Sequence, residues 1–207
     1  MNVESQSEHF TSDEVWEYLA HIHYTGSMKP TIEVLAELQR CHTLSVPFEN
    51  LSVFGREKIV LSKDWLFDKI SRRHRGGFCY ELNRLFSLLL DYFGFKHELH
   101  AASVFDYKTG SPGPPSHVIL AINIENEIWV SDVGFGFCTF PPLRLTACWI
   151  TKSYTGVDQI AFENMETNTF SNKEFKLLSM SSATKKDQRN SSPARTTHNG
   201  YHGINSI

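Results

Sequence analysis

The apolar side chains of this chain change their period at Gly94. Before it they recur every three or four residues, the spacing of one helix face; after it they alternate or gather in short β-branched runs. One kind of element cannot satisfy both periods. The switch therefore predicts an α+β fold, with a helical bundle over residues 1–94 and an antiparallel β-rich domain over 95–180. Thr11 followed by Glu14 reads as a capping box ahead of Val15, Trp16, Leu19 and Ile22. Pro30 and Thr31 open a second helix with Val34, Leu35, Leu38 and His42 along one side, and Ser62 caps a third carrying Trp65, Leu66 and Ile70. The strongest helix runs over Cys79–Phe93, with Leu82, Leu85, Phe86, Leu89 and Phe93 in one stripe and Gly94 at its stop.

Beyond Gly94, residues 98–105, 117–124 and 127–133 read as strands, and Glu125-Asn126 is short enough for a tight hairpin between the last two. Residues 108–116 (KTGSPGPPS) are turn chemistry and read as a loop. Residues 146–180 have apolar side chains but neither clean period and read as weakly structured. From Ser181 onward the chain is polar and rich in Ser, Thr and Asn, so residues 181–207 are expected to form a disordered tail.

Composition removes several functions. Twenty basic against 23 acidic side chains leave a net charge of -3, without the basic excess of a nucleic-acid binder. An aromatic content of 13% excludes disorder as the whole answer. The segment MNVESQSEHF lacks the basic and apolar stretches of a signal peptide, and no apolar run reaches the ~20 residues that span a bilayer. A cytoplasmic protein with no membrane partner is the expectation. Its thiols Cys41, Cys79, Cys138 and Cys148 form no CxxC pair and are expected to stay reduced. His21-Ile-His23, His97-x-x-His100 and His198-x-x-x-His202 lack carboxylate or cysteine partners at ligand spacing, so no metal is expected. Arg72-Arg73-His74-Arg75 reads as a solvated helix end.

The chemistry gathers around Arg75-Gly76-Gly77-Phe78-Cys79. Two glycines let the backbone turn sharply, and the cysteine then falls in the first turn of the best helix, where the positive end of the dipole favours a thiolate. Taken alone it would be an ordinary buried cysteine. The hairpin changes that balance. A two-residue turn at Glu125-Asn126 pairs Ile119 with Asp132, so His117 lies on the same sheet face as a diagonal neighbour of Asp132, roughly 7–8 Å away between backbones. The carboxylate can orient the imidazole and leave its other nitrogen for a thiol. Cysteine, histidine and aspartate in that arrangement supply a nucleophile, a base and an orienter, which is thiol acyl chemistry.

The segments RGGFCYELN (75–83), SHVILAI (116–122) and SDVGFG (131–136) resemble the three signature segments of the arylamine N-acetyltransferases. VPFENL (46–51), after a Leu-Gln-Arg-Cys-His run, is similar to that family's N-terminal motif. The resemblance covers about residues 10–145. It implies a papain- or transglutaminase-like triad scaffold with a barrel-like β domain. Cys79 would be the acetyl-accepting nucleophile, His117 its base and Asp132 the orienting carboxylate. It implies a ping-pong route with acetyl-CoA as cosubstrate, no permanently bound cofactor, and an aromatic amine or hydrazine as acceptor, the chemistry of xenobiotic metabolism. Phe78, Phe135 and Phe137 would line an apolar slot for that amine, with Phe135 at a pocket position of the family. Arg75 and Glu49 would form an ion pair supporting the turn of Gly76 and Gly77, with Asn50 in the same support.

The likeness fades after PPLRL (141–145). Family members continue with a third, lid-like domain that helps close the acyl-donor cleft, and that domain is expected to be missing here. A catalytically impaired, truncated isoform or paralogue is therefore one alternative reading. A thiol hydrolase or transglutaminase-like enzyme is another, because the same order of Cys, His and Asp serves those chemistries.

Overall fold

The structure is a computed structural model that describes residues 8–106, 109, 111–136, 141–145, 149–152, 158–164 and 175–181. Its helices are α1 (Ser12–His21), α2 (Ile32–Ser45), the short α3 (Leu51–Phe54), α4 (Lys63–Phe67) and α5 (Cys79–Phe93). A π-helical turn, Asp68–Arg72, continues α4. The strands are β1 (Lys96–Asp106), β2 (Ser111–Ile124), β3 (Glu127–Ser131), β4 (Leu143–Arg144), β5 (Trp149–Lys152), β6 (Asp158–Asn164) and β7 (Phe175–Ser181).

The helix ends follow their side chains. The Thr11 hydroxyl accepts from the Glu14 backbone N–H at 3.3 Å and the Glu14 carboxylate accepts from the Thr11 N–H at 2.8 Å, which closes the capping box of α1. Thr31 caps α2 through the Val34 N–H. Ser62 precedes α4 but makes no side-chain cap bond. Gly94 ends α5 at φ 81, the left-handed position that favours glycine. Val15, Leu19 and Ile22 of the first stripe are buried with Tyr18, whereas Trp16 faces outward.

One core joins the two parts of the fold. Leu35, Leu38, Leu66, Ile70, Leu82, Leu85, Phe86 and Leu89 from the helices pack with Leu120, Ile122 and Ile124 of β2. Ile119 and Ala121, the alternate residues of β2, pack with Ala102 and Val130 on the opposite face. Helix α5 lies against β1 and β2. The hairpin β2–β3 turns at Glu125 and Asn126 with φ of 51 and 64, as a two-residue type I′ loop requires. Its register runs from Ile124 opposite Glu127 to Leu120 opposite Ser131.

Three expectations are corrected. The β domain is not a closed barrel: it is an open seven-stranded sheet in the order β4-β3-β2-β1-β7-β6-β5. It is antiparallel except between β1 and β7, and β5 and the two-residue β4 stand at its opposite ends. Residues 146–180 contribute β5, β6 and most of β7, whose short runs are too brief to display a clear period in sequence. The proline segment is not all loop, because β2 begins at Ser111 and pairs with β1 across two register shifts. That stretch of β2 extends beyond the part paired with β3, and prolines without an N–H are tolerated on such an edge. The expected tail after Ser181 lies outside the described residues.

Candidate active site

Cys79 opens α5. The backbone N–H of Phe78, just ahead of it, donates to the Glu81 carboxylate at 3.3 Å. The thiol sits at the positive end of the helix dipole and its residue is only 6% exposed. The turn that delivers it fits only glycine. A side chain on Gly76 would strike the Pro47 carbonyl oxygen, and one on Gly77 would come within 2.9 Å of the Glu81 carboxylate. The Glu49 N–H donates to the Gly77 carbonyl at 2.9 Å and the Gly77 N–H to the Pro47 carbonyl at 3.3 Å, which stitches this turn to the 46–51 segment.

Charged side chains brace the same turn. Arg75 donates to one Glu49 oxygen at 2.8 and 3.2 Å, and the other oxygen accepts the Leu51 N–H at 2.6 Å. Burial would raise the Glu49 carboxyl, but the Leu51 N–H, Arg75 and Lys69 together hold it below its ordinary range. Deeper inside, Lys69 spans both oxygens of Glu81 at 2.8 and 2.9 Å, with both side chains almost wholly buried. Asn50 is exposed just ahead of α3 and makes no side-chain cap bond.

The sheet supplies the facing groups. His117 Nε2 lies 2.6 Å from Asp132 Oδ2, both residues 5% exposed. The second carboxylate oxygen accepts the Asn83 amide at 2.9 Å and the Gly134 N–H at 2.8 Å. Asn83, one helical turn beyond Cys79, also donates to the Val118 carbonyl at 2.8 Å and accepts the Val133 N–H at 3.1 Å. One amide thus ties α5 to β2 and to the residues just after β3. A Cβ on Gly134 would stand 2.6 Å from the Cys79 Cα, so the backbone after Asp132 packs directly onto the first turn of α5.

With Nε2 held by Asp132, Nδ1 is the nitrogen of His117 left for the thiol, and Cys79 is near enough to act on the imidazole. Burial alone would lower the imidazole. Asp132, through its hydrogen bond and its charge, and Cys79 together outweigh it and push it up to about 9.

Of the aromatic residues expected at the site, Phe135 meets His117 edge-on at 5.1 Å between ring centroids. Phe78 packs instead against Tyr80 at 5.6 Å. Phe137 lies outside the described residues. Phe48, not singled out from sequence, is half-exposed beside the Gly134–Gly136 turn, where a Cβ on Gly136 would reach its ring at 2.8 Å. Asn83, Lys69 and Glu81 were also not singled out. The sequence signals for two of them are the polar residue four positions after Cys79 and the Glu at the third position of the helix. Among the described residues, no group of three His, Cys, Asp or Glu is placed to hold a metal ion. No helix among them is long and apolar enough to cross a membrane.

Residues 31–177 match the family model described as N-acetyltransferase. The chain belongs to this N-acetyltransferase family. A curated relative, the arylamine N-acetyltransferase / N-hydroxyarylamine O-acetyltransferase of Salmonella typhimurium, is 37% identical over 131 residues, which is 63% of this chain and 47% of that protein. A pineal gland isozyme of arylamine N-acetyltransferase from Gallus gallus is 37% identical over 155 residues, 73% of this chain and 53% of that protein. The chain therefore spans about half the length of these members of the family. Among solved N-acetyltransferases, the Salmonella typhimurium enzyme superposes with a TM-score of 0.67 at 30% identity, over 82% of this chain and 63% of the other. The Mycobacterium marinum enzyme in complex with CoA superposes with a TM-score of 0.64 at 30% identity, over 73% and 57%.

Proposed function

We propose that this chain transfers an acetyl group from acetyl-CoA to aromatic amines or hydrazines through a thioester on Cys79. One observation carries the reading. An imidazole held through Nε2 by a fully satisfied buried carboxylate stands near enough to the thiol at the start of α5 for Cys79 to help raise that ring's pKa. The Cys79 thiolate attacks the thioester carbonyl of acetyl-CoA; the new C–S bond forms, the old one breaks, and the departing CoA thiolate takes the His117 proton. A neutral arylamine then attacks the Cys79 thioester. His117 accepts the amine proton as the tetrahedral intermediate collapses to the amide and the free thiolate. Asp132 keeps the imidazole in the orientation both half-reactions need.

Phe135, edge-on to His117, offers an apolar wall for an aryl ring. Phe48 is a second candidate wall beside the same turn. Arg75, Glu49, Gly76 and Gly77 act as structural support for the Cys79 turn. A nucleophilic thiol needs a reducing compartment, which fits the cytoplasm.

Intact-mass spectrometry after brief exposure to acetyl-CoA tests the reading, with Cys79→Ala in parallel. One acetyl adduct is expected, lost in the variant and discharged by an aromatic amine. A folded protein that takes up no acetyl group, or an adduct that survives in Cys79→Ala, would overturn it.

A further inference from the structure

The helical bundle carries an open cleft of about 760 Å³, none of whose lining residues belongs to the Cys79, His117 and Asp132 group. His21 from the end of α1, His23 from the turn after it, and His74 just past the π-helical turn all line it, together with Ser71, Arg72 and Glu17. The Nδ1 atoms of His21 and His74 are 2.7 Å apart. Two imidazole nitrogens at that distance share one hydrogen, so one ring donates and the other accepts. His21 Nε2 is buried without a partner, and so is the hydroxyl of Ser71, a residue only 3% exposed. Buried polar atoms normally have partners, and these two orphans both belong to residues that line the cleft, just beneath its surface.

The tautomers dictate what kind of ligand. In the neutral pair, the ring that donates through Nδ1 presents a bare Nε2, and the ring that accepts presents an Nε2–H. One added proton leaves the inner hydrogen bond intact, turns both outer nitrogens into donors and gives the pair a single positive charge. We infer that this cleft binds an oxyanion, a sulfate- or phosphate-like group, and that the His21–His74 pair takes up one proton as it does.

The surroundings agree. The Ser71 hydroxyl and His23 add donors, and Arg72 is balanced by Glu17 at 3.2 and 3.4 Å. The end of α2 contributes only Leu44 and Ser45, neither charged. His42, wholly buried nearby, is pushed down to about 3 by burial and by His21 and stays neutral. Burial, His74 and His23 likewise lower His21. Burial therefore works against a proton on His21 until an anion supplies the compensating charge. His23 and His74 also stand on left-handed backbone, at φ 58 and 50. His23 occupies the helix-stop position that glycine favours, its N–H bonded to the Ala20 carbonyl and that of Tyr24 to Leu19.

Sulfate is the probe, because it does not titrate near neutral pH. Imidazole resonances are followed by NMR as sulfate replaces chloride at constant ionic strength, at about pH 6 and about pH 8. Saturable shifts of His21, His23 and His74 are expected, with binding weakening by up to about tenfold per pH unit where the proton is taken up. Ser71→Ala should weaken binding by about fivefold or more without changing the melting transition, and His74→Gln should abolish the pH dependence. If His74→Gln does not fold, Ser71→Ala and the wild-type pH comparison decide between binding and its absence. No saturable shift at either pH, equal affinity at both, or undiminished binding in Ser71→Ala would overturn the assignment. Acetylation through Cys79 is not the readout, so the two proposals fail separately.

Discussion

His117 Nε2 and Asp132 Oδ2 meet at 2.6 Å just beyond the last paired residues of the β2–β3 ladder, Leu120 and Ser131. The hairpin turn fixes that register, so the carboxylate and imidazole are brought together by backbone pairing rather than by flexible side chains. Asp132→Asn keeps the size of the side chain but replaces one acceptor oxygen by an amide, which disfavours the imidazolium and its orientation. A loss of about 10³–10⁴-fold in acetyl-transfer rate is expected, read from the pre-steady-state rate of thioester formation. A rate within a few-fold of wild type would detach Asp132 from the mechanism.

Asn83 holds Asp132 from the other side while spanning to Val118 and Val133. Asn83→Ala leaves the Val118 carbonyl and the Val133 N–H without this buried partner. Urea unfolding should show a loss of about 1–3 kcal/mol for the unsatisfied groups. Thioester formation should slow with it, because Asp132 Oδ1 loses one of its two donors. Unchanged stability would mean that water replaces the amide.

How much of this was legible follows from the range of each interaction. The helices and the hairpin rest on local signals: the Thr11–Glu14 box, the Gly94 stop and the Glu125-Asn126 turn each act within a few residues. His117 and Asp132 were legible because a two-residue turn converts sequence separation into register. Lys69 and Glu81 were not, since nothing local distinguishes a lysine destined for a buried pair from one on a solvated face. The open sheet was not legible either. Whether β4 meets β5 depends on strand lengths and on the parallel pairing of β1 with β7, contacts between segments some seventy residues apart.

The Lys69–Glu81 pair makes its own prediction. Lys69→Met leaves a carboxylate that is 2% exposed without its cation and should cost about 3–5 kcal/mol. Lys69→Met with Glu81→Leu should recover most of that, because the apolar pair needs no charge compensation. Denaturant melts of both single variants and the double variant give the coupling directly. Additive losses would say the two charges do not depend on each other.

Two glycines of the β domain separate tight packing from open space. A Cβ at Gly134 would stand 2.6 Å from the Cys79 Cα, whereas one at Gly113 meets only the Val104 carbonyl at 3.5 Å. Gly134→Ala must push the backbone after Asp132 away from α5, with an expected cost of about 1–3 kcal/mol and slower thioester formation. Gly113→Ala should leave both within error. Equal behaviour of the two variants would remove the close approach as the reason for glycine at position 134.

The protonation of His117 ties stability to pH. Its folded value of about 9 lies above the ordinary 6.5, because Asp132 and Cys79 outweigh burial. A raised value means the folded state holds the proton more tightly than the unfolded chain. The contribution is therefore fully present below about pH 6.5 and is lost as pH rises through about 9. Its upper limit is on the order of 3 kcal/mol. Unfolding free energies of wild type and His117→Gln, measured across that interval, should converge from the acid side upward. Cys79→Ala removes one source of the raised value, so its decline should begin at lower pH than in the wild type. A wild-type advantage that stayed constant across the interval would mean that His117 is neutral in the folded protein.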